Sequence, residues 1–388
     1  MRESRAGRLG RTIALLGLLV PLACRGPAEL SAQVVPDSIG EHLYGLGCAS
    51  CHGQDGRGAD PDKVAFDVPL PDFSDCSFAS REPDADWIAV AHQGGPVRGF
   101  DRTMPAFGEA FSETQLQAII DHIRTFCGDP KWPRGELNFP RPLVTEKAFP
   151  EDEFVYELGV RTESPGAVGN AFVYERRFGS KSQIEIALPF GFQDLTPRDP
   201  LTVPADSAEG GWKGGLGDIG VGLKHVLLHS LTSGTILSGT FEIKLPTGTT
   251  SNGFGAGTTR LEPFLTFGQV LPGESFLQGQ GGFEISTNTE KASNEAFWRA
   301  ALGRSWTQGR WGRAWTPMVE ILGSSELESG GATHWSLVPQ LQVTLNKRQH
   351  IIANIGVGLP LDDTEVRSPE ILFYVLWEWF DGGFFAGW

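Results

Sequence analysis

Two thiols and an imidazole stand within five residues in Tyr44-Gly-Leu-Gly-Cys48-Ala-Ser-Cys51-His52-Gly53. C-x-x-C-H is the attachment signature of a c-type haem. Thiols at this spacing each bond one vinyl group of a single porphyrin. The histidine that follows is then set over the iron as the proximal ligand. The same pair of cysteines also opens a zinc site or a redox-active dithiol. A zinc site needs a second ligand pair, and the remaining cysteines, Cys24, Cys76 and Cys127, are isolated. A thioredoxin-like site needs a βαβ setting, which the surrounding sequence lacks. One covalent haem c on Cys48 and Cys51, with His52 on the iron, is the expected cofactor.

A haem iron has a second axial position. Met104 lies in Arg102-Thr-Met-Pro-Ala-Phe107, a proline-containing loop. Apart from Met1 and Met318 it is the chain's only methionine. A thioether opposite histidine raises the reduction potential. The competing readings are a plain core methionine, or ligation by His42, His92 or His122. His92 sits near a Gly-Gly turn and is the best placed of the three.

The elements that position these groups occupy residues 33 to about 129. Asp37 or Ser38 caps a helix that delivers Cys48. Asp84 and Asp86 favour the start of another helix, which stops at Gly94-Gly95-Pro96. Ser112 and Gln115 have the spacing of a capping box. Leu116, Ile119, Ile120 and Ile123 then recur at i, i+3, i+4 and i+7, one apolar stripe of a helix. With this layout, residues 40–127 resemble a class I monohaem cytochrome c domain. Tyr44, Cys48, Cys51, His52, Gly53, Asp55, Gly56 and Gly58, then Met104-Pro105 and the terminal helix, carry the likeness. It implies an all-α fold, covalent haem on both cysteines, and axial ligation by His52 and Met104. Cys76 and Cys127 fall outside that pattern. In an oxidising compartment they form a disulfide, or else remain two buried thiols.

The chain has 388 residues, room for two domains. Its net charge of -15, with no basic tract, argues against a nucleic-acid partner. Arg2, Arg5, Arg8 and Arg11 precede the apolar run Ile13 to Leu22 and small residues ending near Ala32, the pattern of an export signal over residues 1–32. That run is too short to span a bilayer as a helix. Cys24 reads as discarded with the signal, the alternative being lipid modification. Export agrees with c-type attachment, which takes place on the exported side of the membrane.

Pro130, Pro133, Pro140, Pro142 and Pro150 make residues 130–150 an extended, stiff linker. From residue 151 the pattern changes to period two. Ile184, Ile186, Leu188 and Phe190 share one face. Phe241, Ile243 and Leu245 oppose Ser238, Thr240, Glu242 and Lys244. Phe283 and Ile285 oppose Gln278, Gln280 and Glu284. Trp335, Leu341 and Val343 oppose Ser336, Gln340 and Gln342. One wholly apolar face is what a transmembrane β-strand presents to lipid. About twelve strands are expected, starting near 154, 168, 181, 217, 234, 258, 275, 294, 313, 332, 349 and 369. Tight turns near 179–180, 231–233, 272–273 and 346–348 alternate with longer loops, as in outer-membrane barrels with short periplasmic turns. Trp298, Trp306, Trp315, Trp335, Trp377 and Trp379 suit interfacial girdles, and Trp388 ends the chain on an aromatic residue. A soluble sandwich or lipocalin-like barrel gives a similar alternation, with the apolar face turned inward.

The fold class expected is therefore multidomain: an N-terminal all-α cytochrome c domain, then a transmembrane antiparallel β-barrel over 151–388. Gly214-Gly-Leu-Gly-Asp-Ile-Gly-Val-Gly-Leu-Lys224 and Leu245-Pro-Thr-Gly-Thr249 resemble the barrels of the phenol meta-pathway transporters. The plan is similar to that of fused cytochrome–porin iron oxidases, without implying iron as substrate. An electron carrier in the bacterial outer membrane is expected, passing single electrons between periplasmic partners or, in its wider form, on to extracellular ones, and not an enzyme, because a haem with both axial positions filled has no open site. Its partners would be a redox protein or a small donor or acceptor, and outer-membrane lipid. A barrel of this size leaves a narrow lumen, so the haem domain is expected at the periplasmic mouth. Alternatively the barrel transports a solute past a cytochrome docking or sensing module, or serves only as an anchor. Glu242, Lys244, Glu262, Gln278 and Glu284 would face the lumen.

Overall fold

The computed structural model describes residues 37–163, 166–196, 211–364 and 367–379. The expected export signal with Cys24, and the terminal Asp381-Gly382-Gly383 and Trp388, lie outside the described residues. The first part is helical: α1 Asp37–Gly47, α2 Ala49–His52, α3 Cys76–Ala79, α4 Asp84–Gln93 and α5 Glu113–Phe126. The capping box of α5 is present. Gln115 N donates to Ser112 Oγ at 3.3 Å, and Ser112 N donates to the Gln115 side chain at 2.8 Å. Leu116, Ile119, Ile120 and Ile123 are buried, in one cluster with Leu43, Tyr44 and Phe73. Asp84 and Asp86 lie in the first turn of α4, and Gly94 ends it. Cys76 and Cys127 form a disulfide with Cα atoms 5.1 Å apart, tying α3 to the end of α5.

The strands among the described residues are β1 Glu153–Arg161, β2 Ala167–Phe178, β3 Ser182–Asp194, β4 Trp212–Leu216, β5 Ile219–Ser230, β6 Thr235–Leu245, β7 Arg260–Leu271, β8 Ser275–Ser286, β9 Glu295–Arg304, β10 Trp306–Thr307, β11 Ala314–Glu326, β12 Thr333–Thr344, β13 Ile351–Pro360 and β14 Glu370–Glu378. Twelve of them close a ring, each antiparallel to its neighbours. β14 returns to β1 through pairs from Glu153↔Glu378 to Val160↔Ile371. The short β4 and β10 only extend the pairing of β3 and β11. Every ring strand begins within about two residues of its expected start.

The two faces are inverted relative to a soluble barrel. Leu223 and Ile355 are 53% and 54% exposed, whereas Gln183 and Gln278 are 0% and 1% exposed. Ile184, Ile186, Phe241, Phe283 and Ile285 also point outward, and Ser238, Glu242, Glu320, Gln340 and Asn354 are buried inside. A water-soluble barrel fills its interior with apolar side chains and wets its outside. The inverted arrangement is the one a hydrocarbon surround favours.

The proline-rich segment does more than connect. Residues 130–136 lie on the helical part, where Glu136 accepts from Asp84 N at 3.0 Å and Arg134 pairs with Asp84 at 2.7 Å. The next residues enter the ring. Leu137 and Phe139 cluster with Val226, Ile236, Phe276 and Met318. Arg141 reaches Glu153, Glu157 and Glu175 at 2.7, 3.2 and 2.8 Å. Leu143 N donates to Gln340, Thr145 N to Glu320 and Glu146 N to Gln280, at 3.0, 2.7 and 3.1 Å. On the way back, Ala148 O accepts from Ser238 and Glu151 N donates to Gln183. These partners stand on strands all round the ring. The segment is a re-entrant plug whose two ends lie at the short-turn rim, and it satisfies inward polar side chains that water or a solute would otherwise meet.

Candidate functional site

A cavity of about 690 Å³ opens in the helical part, and Cys48, Cys51, His52 and Met104 all line it. The last turn of α1 brings the first thiol there: Cys48 N donates to Tyr44 O at 2.8 Å. α2 is a single turn, held by His52 N to Cys48 O at 2.9 Å, so two sulfurs and one imidazole reach the same wall. The chain then leaves through glycines. Gly56 has φ +74°, and a Cβ there would sit 2.5 Å from the Phe126 ring. Only a residue without a side chain fits both the backbone and the space. Tyr44 Oη donates to Gly53 O at 2.7 Å and closes the loop.

His52 stacks on Phe73 with ring centroids 5.0 Å apart. Its Nδ1 is buried with no hydrogen-bond partner. Burial pulls the imidazole down to about 4, so at neutral pH the ring keeps the lone pair that a metal ligand needs. Burial, and then the charge of Cys51, push the Cys48 thiol up to about 11. Cys48 and Cys51 are free while Cys76 and Cys127 are bridged. Two unbridged thiols beside an uncharged imidazole on an apolar cavity are the donor set that a covalently held porphyrin requires, and the residues fit that group.

Met104 lies on the loop after the single turn Gly95–Arg98. Its carbonyl accepts from Gly95 N at 3.0 Å. Phe107 N and Gly108 N donate to Ala91 O and His92 O at 3.0 Å each, fastening the loop to α4. The structure thus brings Met104 to the cavity that holds His52. The three rival histidines do not line it. His42 is exposed. His92 is bonded to Gln93 at 2.7 Å and faces Trp311 at 5.4 Å. His122 lies against Tyr44 and Phe126, at 5.2 and 5.0 Å.

The helical part is fastened to the short-turn rim of the ring. Arg98 donates to Trp311 O at 2.8 Å, Arg81 pairs with Asp152 at 2.7 Å, and His350 with Glu82 at 2.6 Å. Three barrel residues, Arg176, Arg348 and His350, line the cavity itself. Sequence reasoning missed them. Asn346-Lys347-Arg348 reads only as a turn, and nothing local says that it faces a cavity more than two hundred residues earlier in the chain. The expected lumen residues are inside the ring, yet they bind one another or the plug. Lys244 pairs with Glu262 at 2.9 Å and Glu284 at 3.4 Å, and Gln278 donates to Pro140 O at 2.8 Å.

Residues 36–123 match the family model described as cytochrome c oxidase, cbb3-type, subunit III. No curated protein matches the chain. Among solved structures, an outer-membrane channel from Pseudomonas putida F1 is similar at 10% identity and a TM-score of 0.41, over 62% of this chain and 99% of that one. The KdgM porin in complex with disordered oligogalacturonate gives 9% identity and a TM-score of 0.37, over 58% and 98%. The NanC porin gives 9% and 0.38, over 58% and 98%. The barrel assignment rests on the closed strand ring of this chain, and the chain joins that ring to a cytochrome c-type domain.

Proposed function

We propose that this protein is a one-electron carrier fixed in the bacterial outer membrane, with its haem domain on the periplasmic side. The observation that carries this reading is one cavity lined by Cys48, Cys51, His52 and Met104, fastened to the rim of a barrel with an apolar outer face. Bound haem supplies one-electron exchange between ferric and ferrous iron. The chain supplies the rest. Cys48 and Cys51 would hold the group through thioether bonds, as in a class I cytochrome c domain. His52, uncharged, and Met104 would be the protein ligands of its iron. With both in place, the site would move electrons and leave no open position for substrate chemistry.

The barrel's share is anchorage in outer-membrane lipid. Short turns favour the periplasm, and the helical part sits on the short-turn rim. The plug argues against an open solute channel, because Arg141 to Glu151 are bonded to the lumen wall. The apolar band of such a barrel is about 25 Å tall, and tunnelling falls steeply with distance. Exchange therefore takes place at the periplasmic face, with a redox protein or a small donor or acceptor.

The test uses an impermeant reductant added to intact cells. The haem spectrum should stay oxidised, then turn reduced once the outer membrane is permeabilised. Reduction in intact cells would replace this reading with electron passage across the envelope. A protein with no covalently held pigment would end both.

A further inference from the structure

We infer that the haem pocket is completed by the barrel, with Arg348 and Arg176 forming part of the wall that receives the haem propionates. This rests on the haem reading above. Haem carries two carboxylates as its only anionic groups, and a carboxylate taken from water needs charged or hydrogen-bonding partners. Guanidinium groups are the best match, since their planar donor fork fits a carboxylate. Four of them line the cavity: Arg81 and Arg98 from the helical part, Arg176 and Arg348 from the barrel.

Arg348 is placed for this. It sits on the short turn between β12 and β13, with its guanidinium carbon 4.5 Å from the ring centroid of Phe100. Two residues on, His350 is bonded to Glu82 at 2.6 Å, so the turn is held to the helical part at two points. Arg176 and Arg81 share Asp152, at 3.1 and 2.7 Å. Arg81 is held further by Ser77, donating to its carbonyl and, at 3.1 Å, to its Oγ, whereas the Arg176 side chain is half-exposed beside the cavity. Five acidic residues share the lining, each with a bond of its own. Asp86 takes Arg98 at 2.7 Å and Glu82 takes His350. Asp72, Asp75 and Asp101 accept from Ser74, Ser77 and Thr103 in their own turns, at 2.8, 2.9 and 2.8 Å.

The thiols stand on residues 48–51, whereas the contacts to the rim come from Arg81, Glu82, Arg98 and Phe100. The barrel thus approaches the haem from a part of the wall that the thioether bonds do not occupy. A cation near the propionates favours the ferrous state, because it offsets negative charge that otherwise stabilises ferric iron.

The experiment measures the midpoint potential and the propionate bending modes in the resonance Raman spectrum of the full detergent-extracted chain. Arg348→Gln should lower the potential and shift those modes, with Arg348→Lys in between. Arg310→Gln serves as the control. Arg310 also ties the rim to the helical part, pairing with Glu113 at 2.8 Å, but it does not line the cavity. It should leave both readouts unchanged. An unmoved potential and unmoved modes in Arg348→Gln would overturn the proposal. Equal shifts in Arg348→Gln and Arg310→Gln would do the same, by showing that Arg348 acts only through docking. A wild-type chain without a haem c pyridine-haemochrome spectrum would instead overturn the haem reading beneath it.

Discussion

At the residue scale, the cavity draws on two kinds of sequence signal. The thiols and His52 are legible because the chemistry needs them at one fixed local spacing. Met104 is the helical part's one methionine, but with His42, His92 and His122 as rivals its role comes from the resemblance to class I cytochrome c domains. Arg176, Arg348 and His350 carry no such signal, because only the closing of a ring brings them to the cavity. Two predictions belong here. Met104→Ala should keep the covalent pigment, lose the sulfur–iron charge-transfer absorption and lower the midpoint potential. The side chain is half-buried, so the fold should lose about 1–2 kcal/mol, part of the cost of truncating a core methionine. A spectrum identical to wild type would remove Met104 from the iron. Gly56→Ala must place a methyl group against Phe126 at positive φ. It should cost about 1–3 kcal/mol, read as a lower urea midpoint.

At the scale of elements, legibility follows how local the cause is. The start of α5 comes from Ser112 and Gln115, three residues apart, and its buried stripe from a 3.6-residue period. The ring strands come from period two. The plug is different. Its prolines announce stiffness, but its partners Gln280, Glu320 and Gln340 are more than a hundred residues away, so no window of sequence places it inside the ring. The Cys76–Cys127 bridge is intermediate, since two cysteines can be seen but their separation in space cannot. It closes a stretch of 51 residues, for which chain entropy implies about 4 kcal/mol of stabilisation. Cys76→Ser with Cys127→Ser should lower the stability of the helical part by about 2–4 kcal/mol. Denaturation followed by haem absorbance checks this, and a midpoint unchanged from wild type would show that packing of α3 on α5 suffices without the bond.

At the scale of the whole molecule, an apolar exterior and a polar, bonded interior are the arrangement that a lipid surround favours. Leu223, outward near the middle of β5, tests the first half. Leu223→Arg should cost about 2–4 kcal/mol of barrel stability in bilayers, measured by unfolding from vesicles, whereas a neutral result would place that position in water. The second half concerns the lumen. Twelve strands lie between a ring of eight, which its own side chains fill, and rings of sixteen or more, which conduct. What closes this one is the plug: Arg141 on three carboxylates, Leu143 to Glu146 on Gln340, Glu320 and Gln280, and Ala148 on Ser238. Replacing residues 138–148 by a Gly/Ser segment of equal length keeps the connection and removes these bonds. Glu153, Glu157 and Glu175 would then lose Arg141 and hydrate. Stepwise ion conductance should appear in planar bilayers where the intact chain shows none, while the haem absorption, set by α1, α2 and the Met104 loop, stays as it was. A replaced chain that remains silent would mean that inward side chains such as Lys244, Glu262 and Glu284 close the lumen by themselves, leaving the plug to stiffen the seat of the haem domain.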